Sequence, residues 1–88
     1  HLSDGFDEET IREFAQVAMD VEGVAGVKKI KARNYGSIAV VDVTLLIPAD
    51  RGFQEAHDIA TEVENALKTS SKEVHEVHVH YEPVESTG

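Results

Sequence analysis

The spacing of apolar residues predicts two amphipathic helices in this chain. After Asp7, whose short acidic side chain is typical of a helix N-cap, apolar residues recur every three or four positions. This pattern predicts a first helix over about residues 8–22, with Gly23 as its stop. The same spacing returns later in the chain, where a nearly unbroken apolar stripe from Phe53 to Leu67 predicts a second helix.

Three further segments alternate between apolar and other residues, as β-strands do. Residues 27–33 form the first segment, and a turn-like Asn34-Tyr35-Gly36 joins it to residues 37–47, the most strand-like stretch of the chain. We expect these two strands to form a hairpin. The last strand is predicted over residues 74–82 and ends at Pro83, because proline cannot donate a ladder hydrogen bond.

The predicted order of elements is therefore αββαβ. Helices with one apolar stripe must bury it against the sheet, and two of them can cover one face of three strands. The other face of the sheet is then either open or paired with a partner. The strands on either side of the second helix are expected to run parallel, because a crossover connection joins them. The sequence predicts an α+β sandwich of the ferredoxin-like kind, with a three-stranded sheet and two helices on one face.

Length, charge and cysteine content narrow the range of functions. Eighty-eight residues form one domain, which we expect at residues 8–83, followed by a flexible tail at residues 84–88. Seventeen acidic and eight basic residues give a net charge of −9, which argues against nucleic-acid binding, since that requires surplus Lys and Arg. Cysteine is absent, which excludes disulfides, thiolate metal sites and cysteine nucleophiles. No apolar run approaches the roughly 20 residues that a membrane span requires.

The basic residues are concentrated on one predicted strand. Four of the eight lie there, namely Lys28, Lys29, Lys31 and Arg33. The interleaved aromatic residues of an RNA-binding strand are lacking. We expect these cations to pair across the sheet with Asp42 or with acidic residues of a partner subunit. The chain also contains no nucleophile motif, glycine-rich phosphate loop or H-E-x-x-H helix, so we expect no enzymatic activity.

The last predicted strand carries a candidate metal site. In His78-x-His80-x-Glu82 the period of two places all three side chains on one face of the strand. Imidazole and carboxylate groups are ligands that suit Zn²⁺, Fe²⁺ and Mn²⁺. His57 lies near the N-terminal end of the second helix and could approach the edge of the sheet where this strand finishes. The alternatives are an exposed polar strand face and, for His57, a partly buried packing residue or helix-end donor.

Five segments stand out by their order and spacing. They are Gly23-Val24-Ala25-Gly26-Val27, Ile30-Lys31-Ala32-Arg33-Asn34-Tyr35-Gly36, Val41-Asp42-Val43, Glu55-Ala56-His57-Asp58-Ile59-Ala60 and Val77-His78-Val79-His80-Tyr81-Glu82-Pro83. Together they resemble the C-terminal cytoplasmic domain of cation diffusion facilitators, over nearly the whole chain. Leu2-Ser3-Asp4-Gly5 also resembles the connector after the last membrane helix of that family. Residues 1–7 are therefore expected to be this connector or, at the very start, a tag remnant.

The resemblance implies a set of metal ligands. By position, His57, His80 and Glu82 match ligands of the family. Thr44 stands where many members have histidine, and Lys28 stands where some members do. A two-metal site is therefore not expected in full, although Asp42 or His78 could supply a replacement ligand. We expect one weaker site per subunit or a site shared across the dimer axis.

The resemblance also implies a function. The chain is expected to be a metallochaperone-like regulatory and dimerisation domain of a divalent-metal transporter, on the cytoplasmic face of a membrane. Bound metal at or near the dimer interface is expected to favour the transport-competent state. Zinc is the first ion expected, with manganese and iron also open. The expected partners are a second copy, divalent cations and the membrane-embedded domain of the same transporter. The alternative is a ferredoxin-like interaction or ligand-sensing module that binds no metal in normal use.

Overall fold

The computed structural model describes the backbone of residues 3–85 and the side chains of residues 5–85. Within these residues there are two helices and four strands, and a short 3-10 turn at Ala49–Arg51 precedes the second helix. The elements are β1 (Ser3–Asp4), α1 (Glu8–Met19), β2 (Gly26–Tyr35), β3 (Ile38–Pro48), α2 (Phe53–Ser70) and β4 (Val74–Val84). The α+β class and the αββαβ order of the five long elements are as predicted from the sequence.

The four strands form one sheet in the order β1-β2-β3-β4. β2 and β3 pair antiparallel as the expected hairpin, and β3 and β4 pair parallel on either side of the α2 crossover. The hairpin turn is tighter than predicted, because Asn34 and Tyr35 remain in β2 and pair with β3. Gly36 makes this possible with a positive φ of 64°.

The two-residue strand β1 adds to the predicted three-stranded sheet. Ser3 pairs with Ala32 and Asp4 with Arg33, in parallel with β2. Two of the residues predicted to be a connector, Ser3 and Asp4, thus run along one edge of the sheet, and residues 1 and 2 lie outside the described part. Their role as a connector stays a prediction.

The core lies between one face of the sheet and the two helices. The inward residues of β3 are at most 2% exposed, and they are Ala39, Val41, Val43, Leu45 and Ile47. Phe14 and Ala18 of α1 and Val63 and Leu67 of α2 pack into the same cluster. No helix within residues 3–85 is long and apolar enough to cross a membrane.

Helix α1 begins as predicted and ends earlier. The Asp7 carboxylate accepts a hydrogen bond from the Thr10 amide at 2.8 Å, and this backbone bond lowers the pKa of Asp7. The helix ends at Met19, not near residue 22: Asp20 N–H still makes a helical bond to the Gln16 carbonyl at 3.0 Å, but Val21 N–H bonds the Ala18 carbonyl, only three residues back, at 3.2 Å. Val21 lies in the turn after the helix, and its side chain is nevertheless buried in the core. Val21 therefore continues the apolar pattern because it is buried, although the helix has already ended.

Strand β4 continues past its predicted end. Pro83 pairs with Ile47 and Val84 with Pro48, so the strand runs through Val84. β4 is an edge strand, and an edge position tolerates a residue without an N–H donor. The expected tail at residues 84–88 therefore begins after Val84, and residues 86–88 lie outside the described part.

We predict that Gly23→Ala destabilises the domain more than Gly36→Ala. Both glycines have positive φ, but a Cβ at Gly23 would lie 2.5 Å from Cδ1 of the buried Ile59, whereas nothing lies within 4 Å at Gly36. Overpacking should lower the free energy of unfolding of Gly23→Ala by about 1–3 kcal/mol more than that of Gly36→Ala. Urea unfolding of both variants measures this difference, and equal decreases would show that Ile59 moves aside freely.

Candidate metal site

The sheet presents an open face on the side away from the helices. We define the open face by the outward residues of three strands. They are Lys29, Lys31, Arg33 and Tyr35 of β2, Val40, Asp42, Thr44 and Leu46 of β3, and Glu76, His78, His80 and Glu82 of β4. Parallel pairing sets Asp42 beside His78, Thr44 beside His80 and Leu46 beside Glu82. Sequence alternation alone predicted which residues of β4 share this face.

Two shallow depressions occupy the open face. Seven residues line the first, namely Lys29, Lys31, Asp42, Thr44, His80, Tyr81 and Glu82. His78 lines the second depression together with Glu76 and Tyr35. Asp42 and His80 line both depressions. Four of the five predicted ligands are therefore neighbours on one surface.

Glu82 already has a cationic partner. The Lys28 ammonium lies 2.8 Å from Glu82 Oε1, and the two side chains are 55% and 49% exposed. The register of β2 shifts between Val27 and Lys29, which identifies Lys28 as the bulged residue. Lys28 therefore pairs with Glu82 across β3 and not with Asp42, one of the two kinds of partner expected from the sequence.

His78 also has a carboxylate partner. Its Nε2 lies 2.6 Å from Glu76 Oε2, two residues earlier on the same strand face. An imidazole held in this way at one ring nitrogen offers the other nitrogen to a metal ion. Sequence reasoning placed Glu76 on this face through the period of two, but it did not recognise the pair.

His57 lies apart from the open face. It is exposed on α2, and its ring stacks on Phe53 with a centroid distance of 6.4 Å and an interplanar angle of 15°. It is therefore not a partly buried packing residue, which was one of the two alternatives for His57. Helix α2 packs on the inward face of the sheet, whereas His80 and Glu82 project from the outward face.

The donors do not converge on one point within a single chain. Among residues 3–85, no group of three or more His, Asp or Glu side chains lies close enough together to hold a metal ion. The three ligands that the resemblance implies, His57, His80 and Glu82, are therefore not gathered within the described part of one chain. Both arrangements expected from the sequence, one site per subunit or a site shared across the dimer axis, stay predictions.

Comparison with known proteins identifies the family. Residues 6–84 match the family described as cation efflux protein, cytoplasmic domain. The chain belongs to this family. The resemblance drawn from sequence segments is thereby confirmed, and so is a location on the cytoplasmic side of a membrane transporter. The family consists of transporter domains and is not a family of enzymes.

Two curated relatives of this cation efflux domain come from Bacillus subtilis (strain 168). The manganese efflux system protein MneS is 42% identical over 87 residues, which are 96% of this chain and 29% of MneS. The manganese efflux system protein MneP is 34% identical over 77 residues, which are 88% of this chain and 26% of MneP. The chain thus spans less than a third of the length of either relative.

Solved structures of the MamM C-terminal domain share the fold. A cadmium form of one variant superposes with a TM-score of 0.84 at 24% identity, over 89% of this chain and 98% of that chain. A manganese form of another variant gives a TM-score of 0.81 at 23% identity, over 89% of this chain and 100% of that chain. This similarity confirms the ferredoxin-like architecture.

We predict a measurable but small coupling between Lys28 and Glu82 in the absence of metal. A double-mutant cycle of Lys28→Gln and Glu82→Gln, followed by urea unfolding in EDTA, should give about 0.2–1 kcal/mol, as exposed ion pairs do. The coupling should decrease as NaCl is added. A parallel cycle of Lys29→Gln with Glu82→Gln serves as the control and should give a smaller value. Equal coupling in the two cycles would contradict a specific Lys28–Glu82 pair.

Proposed function

We propose that this chain is the regulatory and dimerisation domain of a divalent-metal transporter. A metal ion bound between two copies, by His80 and Glu82 of one chain and His57 of the other, stabilises the dimer arrangement that favours transport. His78 and Asp42 supply further donors on the open face. Family membership supports the transporter context and implies a homodimer.

The observation that carries the proposal is the division of the predicted ligands between two layers of the fold. His80 and Glu82 project from the open face of the sheet, and His57 projects from the helix layer. No three donors meet within the described part of one chain. A second copy can bring the helix of one chain to the open face of the other. Metal binding and dimer arrangement are then a single equilibrium.

The donor set fits a divalent ion that binds oxygen and nitrogen ligands. Imidazole and carboxylate groups suit manganese, zinc and iron, and the chain has no thiolate to favour softer ions. Thr44, which the sequence places where many members of the family have histidine, is only 9% exposed and offers a hydroxyl. MneS and MneP are manganese efflux proteins. Manganese is therefore the first ion to test, ahead of the zinc expected from the sequence.

The mechanism is ligand-linked stabilisation of one dimer arrangement. Each chain has a formal charge of −9, so two chains repel one another as they close, and a dication between them reduces the repulsion. A ligand that binds only the closed arrangement shifts its population by its differential affinity. At a free concentration of 100 times Kd the shift is about 2.7 kcal/mol. This is enough to reverse a modest preference for the open arrangement.

The membrane-embedded part of the same protein is the partner that receives this change. Because the chain spans only 29% of MneS, the rest of such a protein is available for that role. Residues 1–7 are proposed as the connector to it. Their first described segment pairs with β2, so a change in the sheet would be transmitted directly to the connector.

We predict that His80→Ala, Glu82→Gln and His57→Ala each weaken Mn²⁺ binding by at least about tenfold, or about 1.4 kcal/mol. Each change removes one of the few donors. Calorimetry gives the affinity, and sedimentation with and without EDTA gives the dimer population. His75→Ala is the matched control, because His75 is an exposed histidine of the same strand outside the donor set. Unchanged binding in all three variants, or no response of the parent to Mn²⁺ and Zn²⁺, would favour an interaction module that binds no metal.

We predict that two weakly binding variants restore tight Mn²⁺ binding when they are mixed. The proposed dimer has two metal sites, each built from His80 and Glu82 of one chain and His57 of the other. In a heterodimer of His57→Ala and Glu82→Gln chains, one site lacks both His57 and Glu82, and the other site retains both. Co-refolded mixtures should therefore recover up to one tight Mn²⁺ site per heterodimer, counted by calorimetry. A site formed within single chains gives no recovery, so that result would remove the shared-site proposal. Mixing His80→Ala with Glu82→Gln is the control. His80 and Glu82 of one chain contribute to the same site, so each site of this heterodimer lacks one of them and none is complete.

A further inference from the structure

We infer that Lys28 sets the metal affinity of this domain by occupying Glu82 when no metal is bound. A divalent ion that uses the Glu82 carboxylate must first displace the ammonium group of Lys28. The inference rests on the proposed function, since it takes Glu82 as a metal ligand. Lys28 thus acts as a cation within the chain that competes with the metal ion for the Glu82 carboxylate.

The geometry of the ion pair supports displacement. The 2.8 Å separation between Lys28 Nζ and Glu82 Oε1 is that of a charge-assisted hydrogen bond. Both side chains are about half exposed, so water and ions reach the pair and exchange is possible. Lysine contributes a single compact charge on a flexible stem, and it can withdraw without disturbing the sheet.

The backbone at Lys28 is specialised for this contact. β2 and β4 are not neighbours, since β3 lies between them, and their axes are roughly 9–10 Å apart. The register shift between Val27 and Lys29 adds one residue to β2 without adding one to β3. A bulge re-aims the side chain of the bulged strand, and here the redirected side chain reaches Glu82.

The sign of the effect follows from charge. Lys28 competes with the metal for the same carboxylate, and a withdrawn ammonium still repels a nearby dication. Both effects weaken metal binding in the parent chain. The domain therefore responds at a higher metal concentration than its donor set alone would give. This suits a regulator that should act on excess metal and leave ordinary levels untouched.

The test compares Mn²⁺ affinities of the parent, Lys28→Gln and Lys28→Arg. Lys28→Gln should bind Mn²⁺ about tenfold more tightly than the parent. The gain should shrink as NaCl is added, because salt screens exposed charges. Lys28→Arg keeps the charge and should stay within about threefold of the parent. Without metal, Lys28→Gln should melt at or slightly below the parent temperature, while its stabilisation by Mn²⁺ should be larger.

Lys29→Gln is the matched control. Lys29 lines the same depression as His80 and Glu82, and its replacement makes the same change in net charge. If Lys29→Gln tightens binding as much as Lys28→Gln, the general field of the surface is responsible and the inference is overturned. If the parent binds Mn²⁺ and Lys28→Gln binds it no better, the inference fails while the proposed function stands. If neither protein binds metal, both fail.

Discussion

The burial of one face of β3 is the constraint on which the rest of the structure depends. Its inward side chains are almost inaccessible to water, so the register of the whole sheet is determined by them. A slip of one residue would carry Asp42 and Thr44 into the core, where an unpaired carboxylate is very unfavourable. Because β4 pairs in parallel with β3, the same burial also directs His80 and Glu82 outward. Stability and the placement of the donors thus have one cause.

The one-sided arrangement of helices separates what the proposed function must bring together. Both helices cover the inward face, so a histidine on α2 and a histidine on β4 lie in different layers of the same chain. Within the described residues, the proposed donors therefore form no complete metal site in a single chain. In the proposed dimer a second copy offers its helix layer to the open face, and a small domain with a modest core also gains stability from such an association. Dimerisation and metal binding can then reinforce one another.

The negative charge of the domain links metal binding to association in the proposed dimer. An acidic domain attracts dications and opposes its own association, so a bound metal changes the association most when the repulsion is large. The Lys28–Glu82 pair, in the role proposed for it, acts against metal binding and raises the metal concentration at which the dimer changes. The proposed regulation of efflux requires such a threshold. On this proposal the open face contains both the response to metal and its limit.

Local periodicity in the sequence determined the two helices, the three long strands, the N-cap at Asp7 and the face that each β4 side chain occupies, because these follow from neighbours a few residues apart. Tertiary structure decided the rest. Val21 continues the apolar period but is buried from a turn, and Pro83 stays in a strand because that strand lies at an edge. The ion pair of Lys28 and Glu82 joins residues 54 positions apart through a bulge. Contacts between residues so far apart in the sequence depend on how the elements pack, so they cannot be predicted from local patterns.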